Sequence, residues 1–327
     1  MNKIDRRTVL RIASASALLA ATPTWAKSAY PSKPIRLVVP FGPGSFTDVV
    51  TREIAKYLSA ALGQPIVVEN KPGASTNLAP EVVSRAAPDG YTLLVGTVGG
   101  MASNPAGLTP TVPYNVAKDF TPISHIGAVT YALLVNPSIP ANNMEELINY
   151  ARENPGLKFG YGNFGGLVYM SMLANTQRLD MLSVPYKSSP PALVALAGGF
   201  VDILVTDVNS ALPLQKAGKV KILAIPGTKR SALAPDIPTL EEAGVKGIQD
   251  VPGWIGLYGP ANLPLPIVSI LSTELNKCLR LPEMLSQAEK YGLNMHGSTP
   301  AELATYTRDQ TTLWKELIVK YKLVPQN

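Results

Sequence analysis

The chain has 327 residues, 46% of them hydrophobic and 16% charged, enough apolar mass for one large or two ordinary cores and too little charge for a disordered chain. Its formal charge of +6 reflects 29 Lys+Arg against 23 Asp+Glu, but Lys3, Arg6, Arg7 and Arg11, with Asp5, fall in the first eleven residues, and without them the balance is 25 against 22, or +3. No basic run or basic helix face remains, which excludes nucleic acid and a membrane surface as expected partners.

The N-terminus reads as an export signal. Asp5-Arg6-Arg7-Thr8-Val9-Leu10 holds an arginine pair in a twin-arginine-like context, and the mildly apolar stretch Ile12 to Ala21 is too short to span a bilayer. Thr24-Trp25-Ala26 then offers small residues at −3 and −1 for cleavage after Ala26, which implies a periplasmic destination for the remainder. Cys278 is the only cysteine. It can form no intramolecular disulfide, lies far from the signal and is expected as a small buried hydrophobe in a C-terminal helix. A soluble monomer is expected.

Beyond Lys27 the chain alternates strand and helix. Strands are predicted at 35–39, 65–69 and 91–97, helices at 48–61 and 77–87, and a turn at Pro88-Asp89-Gly90. This βαβαβ order is that of a parallel, doubly wound sheet. A stretch punctuated by Pro105, Pro110, Pro113 and Pro122 leads to an apolar strand at Tyr131–Val135. A second series follows: helix 144–153 with Asn143 and Glu146 as a capping box, strands 157–161 and 182–186 with helices after them, then strand 201–206, helix 209–217 and strand 220–225. The last hundred residues read as one strand, Trp254–Tyr258, and helices at 265–280, 282–290 and 300–320, the last begun by Thr299-Pro300-Ala301-Glu302.

The segment Phe41-Gly42-Pro43-Gly44-Ser45-Phe46-Thr47-Asp48 joins the first strand to the first helix. A glycine-rich turn at a helix N-terminus aims unpaired N–H groups outward, where the helix dipole adds partial positive charge, so it can receive a carboxylate. The same segment also reads as a plain tight turn with Asp48 as the N-cap. Ligands of open α/β sheets sit beyond the carboxyl ends of the strands. Loops 41–48, 97–103, 162–166, 187–191 and 206–210 all qualify, and two facing lobes would bring them to one cleft.

Much enzyme chemistry is missing. There is no Gly-x-Ser-x-Gly elbow, no P-loop and no opening GxGxxG. His125 and His296 stand in no cluster with metal-ligand spacing. No cofactor and no metal is expected. An enzyme on such a scaffold would have to draw on Ser45, Thr47, Asp48, Lys187 or Asp207.

Several segments form a pattern in register: Tyr30-Pro31-Ser32-Lys33-Pro34-Ile35-Arg36-Leu37-Val38-Val39-Pro40-Phe41, Pro43-Gly44…Asp48, Val68-Glu69-Asn70-Lys71-Pro72-Gly73-Ala74, Ala86-Ala87-Pro88-Asp89-Gly90-Tyr91-Thr92-Leu93-Leu94, Val184-Pro185-Tyr186-Lys187, Ala217-Gly218-Lys219 and Pro235-Asp236-Ile237-Pro238-Thr239-Leu240-Glu241-Glu242-Ala243-Gly244. On these the chain resembles the Bug family, the extracytoplasmic solute receptors of tripartite tricarboxylate transporters, from about Tyr30 to about Leu323. The resemblance implies an α/β fold of the two-lobed periplasmic binding protein type II kind, two doubly wound domains around a ligand cleft. The first lobe would hold 27–127 and 228–327, the second 128–227. It also implies a non-enzymatic receptor for a small organic carboxylate, with a tripartite tricarboxylate-type membrane permease as partner. In the family the first lobe grips one carboxylate largely through backbone amides and bridging waters. Mapped here, the site comprises Phe41, Gly42, Pro43, Gly44, Ser45, Phe46, Thr47, Asp48, Thr97 and Val98, closed by Gly162, Asn163, Phe164, Gly165, Tyr186, Lys187 and Asp207.

The chain departs from the family pattern at three places. Ser45 and the bulky Phe46 stand in a loop that usually reads Pro-Gly-Gly-x-x-Asp; Asn163-Phe164-Gly165-Gly166 replaces a Ser/Gly-rich loop; and Ser188 follows Tyr186-Lys187 where Gly is usual. The added aromatics predict an aromatic or short apolar carboxylate rather than a citrate-like one. A sensor subunit signalling to a membrane kinase would use the same cleft and is the alternative reading.

Overall fold

The computed structural model describes residues 30–323; the expected export signal and its cleavage point lie outside the described residues. The strand β1 (Ile35–Val39) is a short apolar run, and α1 (Phe46–Leu62) turns Val50, Ile54 and Leu58 inward at helical spacing. Then follow β2 (Ile66–Asn70), the short helix α2 (Leu78–Ser84), β3 (Thr92–Thr97), a π-helical segment (Gly99–Leu108) and β4 (Phe120–Val129). The second series is β5 (Tyr131–Val135), α3 (Met144–Glu153), β6 (Leu157–Tyr161), α4 (Phe164–Gln177), β7 (Met181–Pro185), α5 (Ser189–Ala197), β8 (Ile203–Asp207), α6 (Val208–Lys216) and β9 (Lys221–Ala224). The chain ends with β10 (Gly253–Pro260), α7 (Leu265–Cys278), α8 (Pro282–Lys290), β11 (Leu293–Met295) and α9 (Pro300–Tyr321).

These strands form two sheets, in the orders β11-β4-β10-β3-β1-β2 and β7-β6-β8-β5-β9. Each has a parallel part (β2, β1 and β3; β7, β6 and β8) extended by antiparallel strands. Only Thr130 separates β4 in the first sheet from β5 in the second, and the chain returns between β9 and β10. The fold is thus the two-lobed, type II-like arrangement expected from the sequence. The helix α9 packs across the first sheet against β4 and the π-helical segment, and Trp254, Tyr258 and Trp314 are fully buried there. It opens on the predicted capping box: Thr299 Oγ1 accepts the Glu302 N–H at 3.2 Å and Glu302 accepts the Thr299 N–H at 2.7 Å. Cys278 ends α7, and burial pushes its thiol up to about 12. Among the described residues no helix is long and apolar enough to cross a membrane.

The structure differs from the sequence reading in four places. β4 lies where only punctuated loop was expected, because Ser124 and His125 are buried in it and disguise its apolar alternation. β11 and the π-helical segment are likewise additions to the predicted elements. The helix predicted at 77–87 is confined to Leu78–Ser84 because Ala74, Ser75 and Thr76 before it form a left-handed turn with φ of 47°, 51° and 73°. Such a conformation costs roughly 1–2 kcal/mol per residue with a Cβ. Tertiary hydrogen bonds hold it: Asn104 Nδ2 donates to Ser75 O at 2.7 Å and to Asn77 Oδ1 at 2.8 Å, and Tyr114 Oη donates to Asn77 Oδ1 at 2.7 Å. Finally, α1 begins at Phe46, so Ser45 rather than Asp48 is its N-cap, its hydroxyl accepting the Asp48 N–H at 3.3 Å.

Candidate functional site

The carboxyl ends of β1, β3, β6, β7 and β8 meet between the two sheets and enclose two adjoining cavities. The inner one holds about 530 Å³ of empty space, its open mouth included, and is lined by Phe41, Ser45, Phe46, Thr47, Thr97, Val98, Gly99, Val129, Tyr131, Asn163, Phe164, Ser189, Asp207, Gly253, Trp254 and Ile255. The outer one, about 1140 Å³ on the same measure, runs along Pro72 to Thr76, Tyr161, Gly162, Tyr186 and Lys187. Phe41, Asn163 and Phe164 belong to both walls and mark the passage between them.

The β1–α1 turn is clamped from behind. Gly44 takes φ of 77°, a left-handed conformation that glycine adopts without strain. Its N–H donates to Asp48 Oδ2 at 2.9 Å. The same carboxylate receives Arg52 (Nη2 to Oδ1, 2.9 Å) and Asn70 Nδ2 (to Oδ1, 2.8 Å), and that Asn70 nitrogen also reaches Phe41 O at 2.9 Å. Burial alone would raise the Asp48 carboxyl; the hydrogen bonds from Arg52, Gly44 and Asn70 outweigh it and hold the group below the usual carboxylate range. Asp48 therefore orders the turn instead of facing the cavity. Of the turn's amides, Gly44, Ser45 and Asp48 are engaged within the turn. Among the described residues no acceptor takes the N–H of Phe46 or Thr47, the first two residues of α1, and both line the inner cavity.

The second sheet presents matching helix starts. Asn163 caps α4, its Oδ1 accepting the Gly166 N–H at 2.8 Å while its Nδ2 donates to Ser189 Oγ at 3.2 Å. Asp207 caps α6, its Oδ1 accepting the Ser210 N–H at 2.9 Å. The starts of α1, α4, α5, α6 and the π-helical segment all contribute residues to the inner cavity, so positive dipole ends converge on it.

Two close approaches bind the halves together. A Cβ on Gly99 would fall 2.7 Å from two ring carbons of Phe164 and 2.5 Å from Thr76 Oγ1. The Tyr131 ring lies against the backbones of both Gly165, in the first turn of α4, and Gly253, the first residue of β10 in the other sheet, so neither position admits a side chain. The inner wall carries no Lys, Arg or His. Its polar groups include Thr97 Oγ1 and Trp254 Nε1, both buried without a hydrogen-bond partner among the described residues.

Of the residues singled out from the sequence, Phe41, Ser45, Phe46, Thr47, Thr97, Val98, Asn163, Phe164 and Asp207 stand in the inner wall, and Gly162, Tyr186 and Lys187 in the outer one. Gly42, Pro43, Gly44, Asp48 and Gly165 support these walls without lining either cavity. Sequence reading passed over Val129, Tyr131, Trp254, Ile255 and the left-handed turn; Ser189 falls in the loop 187–191 already singled out, but nothing local marked the strand residues. Among the described residues no three His, Cys, Asp or Glu side chains gather where a metal ion could be held.

The family model described as the tripartite tricarboxylate transporter family receptor matches residues 50–323. The periplasmic binding protein BugD is 31% identical with a TM-score of 0.85, over 91% of this chain and 100% of BugD. An R. palustris protein solved with adipate is 31% identical with a TM-score of 0.87, again over 91% and 100%. MatC from Rhodopseudomonas palustris with bound malate is 32% identical with a TM-score of 0.82, over 88% of this chain and 100% of MatC.

Proposed function

The chain belongs to the tripartite tricarboxylate transporter receptor family, the Bug proteins, and from that premise we propose that it works in the periplasm as a monomer that captures a small carboxylate between its lobes and hands it to a membrane transporter of the tripartite tricarboxylate type. In this reading the lobes comprise 27–127 with 228–327, and 128–227. The observation that carries it is the pair of unclaimed amides at Phe46 and Thr47, at the positive end of a seventeen-residue helix and facing a largely apolar cavity. Ser45 and Thr97 hydroxyls lie in the same wall, and Asn163 and Phe164 bring the second lobe onto the ligand. Tyr186 and Lys187 stand at the rim, where Lys187 can attract an anion without staying bound to it.

A carboxylate held this way gains charge-assisted hydrogen bonds of roughly 1.5–3 kcal/mol each in a cleft that closure dries. A few of them leave about 8 kcal/mol after the cost of ordering, which is micromolar affinity. Closure follows because the ligand touches both lobes only in the closed form. The lining of Phe41, Phe46, Val98, Val129, Tyr131, Phe164, Trp254 and Ile255 favours an aromatic or short apolar body over a citrate-like one. Binding without turnover is supported by the wall itself: it holds no histidine, and the Ser45 hydroxyl is occupied as a helix cap.

Mass spectrometry of acids released from protein purified without refolding, followed by calorimetric titration with mono-, di-, tri- and aromatic carboxylates, tests the reading. Micromolar binding of an aromatic or short apolar acid, recovered unchanged, is the expected result. A response to citrate alone overturns the apolar ligand, and no response to any organic acid overturns the carboxylate.

A further inference from the structure

The wall of this carboxylate site contains one group of the ligand's own sign. Asp207 closes β8, lines the inner cavity and is only 3% exposed. Its partners are neutral: Oδ1 accepts the Ser210 N–H at 2.9 Å, Oδ2 accepts the Thr206 hydroxyl at 3.3 Å, and the Ser210 hydroxyl and the Asp207 N–H also favour the anion. No cationic side chain lines the inner cavity, and Lys187 lines the outer one alone. Tyr131, paired with Asp207 across β5 and β8, completes this corner of the wall. A buried carboxylate with no counter-ion in its cavity is costly even when neutral donors surround it. Burial accordingly pushes its carboxyl above the ordinary value. The unclaimed amides of Phe46 and Thr47 lie on the first sheet's side of the cavity and Asp207 on the second's.

Resting on the carboxylate reading, we propose that Asp207 fixes the class of acid: the cleft takes a carboxylate that also carries a hydrogen-bond donor, a hydroxyl or amino group, and presents that donor to Asp207. The ligand's anionic end then engages one lobe and its donor end the other, so a single molecule satisfies both only when the lobes are shut. A second carboxylate in place of the donor would meet Asp207 as a like charge. An unsubstituted acid would leave the buried charge of Asp207 without a ligand donor to offset it.

Calorimetry on the chain beginning at Lys27 tests this with two matched series at neutral pH. One is benzoate, 4-hydroxybenzoate, 4-aminobenzoate and terephthalate; the other is 3-phenylpropionate, phenyllactate, phenylalanine and phenylsuccinate. In at least one series the hydroxyl- or amino-bearing acid is expected to bind at least about tenfold tighter than its bare parent, with the dicarboxylate weakest. Asp207→Asn keeps the helix cap, since Asn caps as well as Asp, and is expected to shrink the tenfold preference to threefold or less. Equal or tighter binding of the bare acid or the dicarboxylate overturns the inference, as does an unchanged preference in D207N, and either result leaves the carboxylate reading standing. Failure of every acid to bind overturns both.

Discussion

The Phe164 ring rests on the Cα of Gly99, one residue opening a helix of the second sheet and the other following the last parallel strand of the first. A methyl group at residue 99 would sit 2.7 Å from two carbons of that ring. The absence of a side chain at Gly99 is therefore what lets the two halves approach at the inner cavity.

Gly99→Ala should hold the lobes slightly apart. Overpacking of this kind costs roughly 1–3 kcal/mol, and most of the loss should fall on ligand binding, because the contact spans the cleft. The expected outcome is carboxylate affinity lowered by about tenfold or more with a small drop in melting temperature. Trp254, fully buried in the cavity wall, gives the reading: its emission should change on ligand addition in the wild type and change less in the variant. Unchanged affinity would show that the lobes close without this contact.

Asp48 should leave a mark on acid stability. Its carboxyl sits below the ordinary value of 3.8 in the folded chain. The stability it contributes is therefore complete above that value and is lost as pH falls through the lower folded value. Asp48→Asn should destabilise the protein at neutral pH by about 1–3 kcal/mol, since Arg52 and the Gly44 amide lose a buried anion. The variant should lose less than the wild type between pH 4 and pH 2, a difference that urea denaturation at a series of pH values would detect.

His125 should act in the same direction but in a higher pH window. It is buried in β4, stacked at 4.5 Å on His296 and edge-on to Tyr306 at 4.9 Å, and neither ring nitrogen has a partner among the described residues. Burial first, and His296 second, lower its pKa from 6.5 to about 4. The unfolded chain takes up this proton before the folded one does, so stability falls as pH drops from about 6.5 towards 4 and levels off below. At about 1.4 kcal/mol for each pH unit between those two values, the loss is on the order of 3 kcal/mol. His125→Phe should flatten that limb, read from denaturation midpoints at pH 7.5 and 4.5; an unaltered slope would assign it to other groups.

How far the sequence disclosed the site follows from where its parts lie. The β1–α1 turn was readable because glycine, proline and a capping serine each constrain the backbone locally, and the strand before it is an unbroken apolar run. Asp48 looks like the cap in the sequence because Ser45 and Asp48 both have cap-forming side chains, and only the observed start of α1 decides between them. Tyr131, Val129 and Trp254 were invisible for a different reason. Tyr131 and Trp254 look like ordinary strand residues and Val129 ends a stretch read as loop, and they reach the cavity only because the chain crosses between sheets at Thr130 and returns at Gly253. The left-handed turn at Ala74 to Thr76 escaped because none of those residues favours positive φ; side chains some thirty residues away impose it.

The strand order also governs how the molecule is made. β10 lies between β3 and β4, yet it is the last long strand the ribosome delivers. A nascent chain that has already emerged through Val129 still has two open edges in its first sheet until Gly253 to Pro260 arrive to fill the gap. Assembly of that half must therefore wait for the C-terminal third, a long-range pairing that slows folding and leaves sticky strand edges for chaperones to guard.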